Sequence, residues 1–146
     1  AAIANRGYYY TPHIVKHIEN DSIDSRFKKR NYTEIDSSYF DIVINGMQEV
    51  VENKELGTSN IAIMDDVAVC GKTGTAQNPH GEDHSIFIGF APKDNPKIAL
   101  AVYVENGGWG STWAVPIGSL MIEKYINDTI TRNYLEERII NGEIKY

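Results

Sequence analysis

Cysteine, basic charge and long apolar runs are what this sequence has least of. Its single cysteine, Cys70, has no partner for an internal disulfide, so cysteine usage says nothing about redox compartment. Lysine and arginine number 14 against 20 aspartates and glutamates, for a net charge of −6 and a pI near 5.1. Phosphate binding needs a basic patch, so nucleic acid is not an expected partner. The one basic cluster, Arg26, Lys28, Lys29 and Arg30, lies among Asp21, Asp24 and Glu34 and reads as a solvated surface. No apolar run is long enough to cross a bilayer, and no signal peptide opens the chain. The same would hold for a piece of a longer, membrane-anchored protein. What is present, 146 residues of which 42% are hydrophobic, suffices for one domain core or a large part of one.

The opening residues, Ala1 to Gly7, read as the last turns of a helix with Gly7 as its left-handed stop. The alternation in residues 13–18 predicts a strand, and a second strand is expected around residues 26–35. Asp36 is a good N-cap for a helix in which Phe40, Val43, Ile44, Met47, Val50 and Val51 recur at helical spacing. Gly46 interrupts it at a cost of about 1 kcal/mol relative to alanine, which calls for a well-packed apolar face. Three apolar strands follow, over residues 67–75, 85–90 and 97–104. The turn between the last two, residues 91–96, is short enough to force an antiparallel hairpin. Residues 98–104 are apolar at every position, so both faces of that strand are expected to be covered. A glycine loop at residues 105–111 leads to a helix opened near Pro116, with Ile117, Leu120, Met121 and Ile126 as its apolar face. Residues 129–146 are helical in pattern but charged, and read as a loosely docked tail. The whole is α+β, an antiparallel sheet core with flanking helices.

The chemistry concentrates in Gly71-Lys72-Thr73-Gly74-Thr75. Gly71-Lys72-Thr73 matches the end of a phosphate-binding P-loop, but the glycine required five residues earlier is Asp66. The intervening residues are a buried strand rather than a glycine-rich loop, so that reading fails. The other reading is the Lys-Thr-Gly strand of penicillin-interacting serine enzymes. Lys72 offers a cation to the carboxylate end of a peptide, Thr73 and Thr75 offer hydroxyls to the same group, and Gly74 lets a ligand approach the backbone. The tripeptide alone is common by chance and would pass as a polar strand end.

Its surroundings raise the specificity. The motif continues as Ala76-Gln77, then His84-Ser85-Ile86-Phe87-Ile88-Gly89-Phe90-Ala91-Pro92, Asn95-Pro96-Lys97-Ile98-Ala99 and Val104-Glu105-Asn106-Gly107-Gly108. Upstream stand Ala4-Asn5-Arg6-Gly7, Pro12-His13-Ile14-Val15 and Gly46-Met47-Gln48-Glu49-Val50-Val51. That succession, over roughly residues 1 to 126, resembles the class B penicillin-binding proteins, most of all their elongation type (penicillin-binding protein 2). The resemblance implies a D,D-transpeptidase that cross-links peptidoglycan stem peptides. In such an enzyme a serine attacks the D-Ala-D-Ala bond, forms an acyl-enzyme and passes the acyl group to an amine, and β-lactams trap the acyl-enzyme. It further implies that Lys72, Thr73 and Thr75 bind the terminal carboxylate and that the Thr75 N–H is half of the oxyanion hole. The peptide would lie along the strand as an added strand. No cofactor and no metal are implied. The implied setting is the periplasmic face of the bacterial inner membrane, with a membrane glycosyltransferase as partner.

The sequence departs from that family in one respect. A Ser-x-x-Lys nucleophile and a Ser-x-Asn element should precede the Lys-Thr-Gly strand. Ser25-Arg26-Phe27-Lys28 has the spacing but sits in a charged turn, and Thr58-Ser59-Asn60 has threonine where serine is needed. Residues 1–146 are therefore expected to be the C-terminal portion of one transpeptidase domain, without the nucleophile and inactive alone. A serine β-lactamase, a β-lactam sensor and a non-catalytic peptide-binding module remain as alternatives. His80 and His84 flank Glu82 and Asp83 at a spacing that could hold a metal, although a polar loop is the simpler reading. His13 and His17 fall in an expected strand, which separates them as metal ligands. Trp109 and Trp113 flank the glycine loop, where they either line a pocket edge or cap the core. No Gly-x-Ser-x-Gly elbow supports a hydrolase of the α/β type.

Overall fold

In a computed structural model, which describes residues 1–144, the short turn after residue 91 closes the expected hairpin. Strands β3 (Cys70–Ala76), β4 (His84–Ala91) and β5 (Ile98–Val104) form one antiparallel sheet in the order β3-β4-β5. Residues paired across an antiparallel ladder point to the same side, so register assigns the faces. Gly71, Thr73 and Thr75 pair with Gly89, Phe87 and Ser85, which pair in turn with Leu100, Val102 and Val104. On the other face Cys70, Lys72 and Gly74 line up with Phe90, Ile88 and Ile86, then with Ala99, Ala101 and Tyr103.

Each face carries its own core. Phe87 anchors the first, fully buried with Val51, Val69, Val115 and Ile122. Its ring is fitted by glycines from three elements. A Cβ at Gly71 would lie 2.4 Å from the ring, one at Gly118 2.6 Å and one at Gly89 2.9 Å. Helix α2 (Ala114–Asn127) thus approaches the sheet through small residues, with Ala114, Val115, Gly118, Ser119 and Ile122 buried. Of the expected face, Ile126 packs against this core and Leu120 is buried, whereas Met121 is 49% exposed. The buried face thus mixes small residues, which allow the close approach, with the bulk of Val115 and Ile122. Pro116 does sit in the first turn.

On the second face helix α1 (Ser38–Glu52) lies over β3, its Phe40, Ile44 and Met47 packed with Cys70, Phe90 and Ala4. Asp36 caps it as anticipated, its Oδ1 accepting from the Ser38 N–H at 2.9 Å and the Ser38 hydroxyl at 2.7 Å. Those two bonds hold the Asp36 carboxyl below its usual pKa. Gly46 faces open space, so its helical cost has no packing reason. Because α1 stops over β3, the Ala99, Ala101 and Tyr103 side of β5 is exposed. The expectation that both faces of β5 are covered is corrected here.

Two further expectations change. Residues 13–18 form no strand; instead β1 (Tyr8–Tyr10) pairs with β2 (Arg30–Tyr32), and a short 3-10 turn at Ser25–Phe27 replaces the start of the second strand. Aromatic and cationic cross-strand contacts decide this pairing: the Arg30 guanidinium lies 4.4 Å from the Tyr8 ring centroid and bonds the Tyr10 hydroxyl. At the N-terminus the left-handed residue is Arg6 (φ 53°) ahead of Gly7 (φ 109°). The Gly7 N–H bonds the Ala2 carbonyl and the Arg6 N–H that of Ile3, a Schellman pattern that shifts the stop by one residue.

The segment expected to dock loosely is tied down as far as helix α3 (Asn133–Ile140). Leu135 is fully buried, and buried Glu123 pairs with Arg132 at 2.8 Å. Arg132 also donates to the carbonyls of Ile61 and Ser119, at 2.7 and 3.1 Å. Burial alone would raise the Glu123 carboxyl pKa, but the Thr131 hydroxyl and N–H and the Arg132 guanidinium outweigh it and lower it. Residues 145 and 146 of that segment lie outside the described residues.

Candidate functional site

Strand β3 changes character along its length. Cys70 and Gly71 are buried and belong to the two cores, whereas Lys72 and Thr75 are exposed and Thr73 and Gly74 half-buried. Burial pushes the Cys70 thiol up to about 11, so it stays protonated and packs as a small apolar group. Among the described residues β3 is also the last strand of its sheet, so backbone N–H and C=O groups along its outer edge have no partner strand there. Lys72 emerges on the α1 face, Thr73 and Thr75 on the opposite one. Cation and hydroxyls therefore flank the free edge from both sides. The Lys72 ammonium donates to the Thr73 carbonyl at 2.8 Å, folded back along its own strand. A Cβ at Gly74 would lie 3.3 Å from the Ile86 Cβ, a tight approach that only a small shift of that residue would relieve.

A set of residues without motif spacing builds the wall behind the strand. Gly110 packs so closely that a Cβ would lie 2.6 Å from the Ile86 carbonyl and 2.8 Å from that of Gly74. Buried Ser85, opposite Thr75, donates to the Trp109 carbonyl at 2.9 Å and accepts from the Ala114 N–H at 3.1 Å. One hydroxyl thus fixes both the glycine loop and the start of α2 against the sheet. Trp109 itself is 77% exposed, so it does not cap the core, while Trp113 is half-buried against Gly142. Thr58 reaches β3 from the turn after α1, its Oγ1 2.9 Å from the Thr73 Oγ1. Sequence reasoning missed the roles of Thr58, Ser85 and Gly110. A serine at an inward strand position was the only signal of the three.

The histidines join no metal cluster. The His84 Nδ1 accepts from the Asn106 N–H at 3.0 Å and its ring leans on Tyr103. Asp83 accepts from the Asn78 N–H, and the Asn78 side chain bonds Asn106, so this loop is clamped to the glycine loop. His80 is exposed. Among the described residues no group of three or more His, Cys, Asp or Glu is placed to hold a metal. Ser25 and Lys28 are exposed in and beside the 3-10 turn, not in a buried helix. No helix is long and apolar enough to cross a membrane among the described residues.

Residues 1–123 match the penicillin-binding protein transpeptidase domain, and the chain belongs to that family. Its relatives include the peptidoglycan D,D-transpeptidase MrdA of Haemophilus influenzae, 32% identical over 88% of this chain and 22% of that protein. The peptidoglycan D,D-transpeptidase PbpA of Mycobacterium tuberculosis is 30% identical over 84% of this chain and 27% of its own length. Among solved structures, Pseudomonas aeruginosa PBP2 in complex with WCK 5153 superposes with a TM-score of 0.71 at 33% identity, covering 91% of this chain and 30% of that one. The chain thus spans between a fifth and a third of the length of these three relatives. Resemblance to the elongation type and the α+β class are both met by these relatives.

Proposed function

We propose that β3 is the substrate-side wall of a serine D,D-transpeptidase whose nucleophile lies outside these residues. The observation that carries the reading is a free sheet edge lined by Lys72, Thr73, Gly74 and Thr75 in a chain of the transpeptidase family. A stem peptide ending in D-Ala-D-Ala adds to that edge as a strand, exchanging backbone hydrogen bonds with it. Its terminal carboxylate meets the Lys72 ammonium from one face and the Thr73 and Thr75 hydroxyls from the other, charge-assisted bonds that fix the register. Lys72 exchanges its bond to the Thr73 carbonyl for the anion. The Thr75 N–H donates to the developing oxyanion, with the nucleophile's own N–H as the second donor. A serine then forms the acyl-enzyme and releases the terminal D-alanine, and an amine of a neighbouring strand takes the acyl group. β-Lactams enter as donor mimics and stop at the acyl stage. The parent protein works at the periplasmic face of the inner membrane beside a glycosyltransferase, and no cofactor takes part.

A fluorescent penicillin tests this directly. It is expected to label the acylation-competent protein that carries this segment and to leave the 146-residue chain unlabelled. Covalent labelling of the chain by itself would overturn the assignment of the nucleophile.

A further inference from the structure

We infer that Thr58 is a positioning residue for carboxylate recognition, acting through the hydroxyl of Thr73; this rests on the function proposed above. The two Oγ1 atoms lie 2.9 Å apart. Thr58 is exposed, so burial does not force the contact. The turn that carries Thr58 is nonetheless fixed to the end of α1 by several bonds. The Gly57 N–H bonds the Asn53 carbonyl at 2.7 Å, and the Ser59 N–H bonds the Val50 carbonyl at 3.0 Å. The Asn60 amide donates to the carbonyls of Val51 and Asn53, at 2.7 and 2.9 Å. Position 57 has no room for a side chain, since a Cβ would lie 2.3 Å from the Asn53 carbonyl. A rigid frame therefore holds one hydroxyl at a set place beside the strand.

The consequence follows from what a hydroxyl can do. Each threonine has one proton to donate and two lone pairs to accept with. When Thr58 donates to Thr73, the Thr73 proton is released from that pair and turns to an acceptor at the strand edge, which is where the carboxylate binds. The two bonds also polarise each other, so the second donor strengthens the first. Without Thr58, the Thr73 rotor must be ordered by the ligand, which weakens recognition.

The test uses the acylation-competent protein with Thr58→Val, Thr58→Ser, Thr73→Val and the double variant Thr58→Val/Thr73→Val. Second-order acylation is measured with benzylpenicillin and with its carboxylate methyl ester. Thr58→Val is expected to slow the free acid about tenfold, the loss of one hydrogen bond serving a charged group, and to leave the ester within about twofold. Thr58→Ser restores the rate, and the double variant is no slower than Thr73→Val, because residues acting through one contact are not additive. Equal losses on acid and ester would mark a structural role and overturn the inference, as would fully multiplicative losses in the double variant. A wild-type protein that does not acylate removes the proposed function itself. Acylation slowed by Thr73→Val but not by Thr58→Val removes only the role of Thr58.

Discussion

The two sides of β3 differ in what they can tolerate. Its inner side is filled: Gly71 lies against Phe87, α2 rests on the same ring, and Arg132 ties α3 to α2 and the turn at Asn60–Ala62. Its outer edge is open, and Lys72 and Thr75 are exposed there. Five residues of one motif thus serve two purposes, with Gly71 a packing residue and the remainder available for recognition. Substitutions on the inner side should cost stability, and those on the edge should cost binding alone.

The largest test of the inner side is Arg132→Ala. It leaves Glu123, 3% exposed, without its guanidinium, and a loss of about 3–5 kcal/mol in urea unfolding is expected. The bonds that Thr131 and Arg132 give Glu123 also set a pH dependence. The Glu123 carboxyl is lowered in the folded state, so its contribution is present above the ordinary carboxylate range and is lost as pH falls through the depressed folded value. Wild type should therefore lose stability at acid pH more steeply than Arg132→Ala, and parallel curves would detach the pair from the acid transition. On the outer edge, Lys72→Ala should slow penicillin acylation by about a hundredfold in the competent protein. Its unfolding midpoint should not move, and a shift there would dissolve the contrast between the two sides.

Gly71→Ala falls between these in size. Its Cβ would meet the Phe87 ring at 2.4 Å, so about 1–3 kcal/mol of overpacking is expected. Adding Phe87→Leu should recover part of that loss, and no recovery would remove the ring as its cause. Smallest is Gly46→Ala, which faces open space within α1 and should stabilise by about 0.5–1 kcal/mol, read as a higher melting temperature.

Features that depend on neighbours in the chain were legible. The β4–β5 hairpin followed from its short turn, the α1 stripe, all but exposed Val43, from helical spacing and the Asp36 cap from residue type. The motif strand was legible because its spelling is local, although it begins at Cys70 rather than at residue 67. Features set by tertiary choice were not. Residues 13–18 alternate like a strand, yet the arginine–tyrosine contacts of β1 and β2 won the pairing. The sheet side of α2 was hidden because small residues mark a close approach and apolar scoring favours large ones. Glu123 in α2 and Arg132 in the charged tail carry no spacing that pairs them, and only the fold brings them together. Thr58 and Thr73 are fifteen positions apart and no periodicity joins them.

The ring of Phe87 has a consequence for variation. Gly71, Gly89 and Gly118 come from three different elements, yet each lacks a side chain for the same ring. Those positions are therefore not independent letters. A larger residue at any of them should be accepted only with a smaller one at 87, so the four should change as a set in directed evolution. The first letter of the recognition motif is thus written by the core behind it.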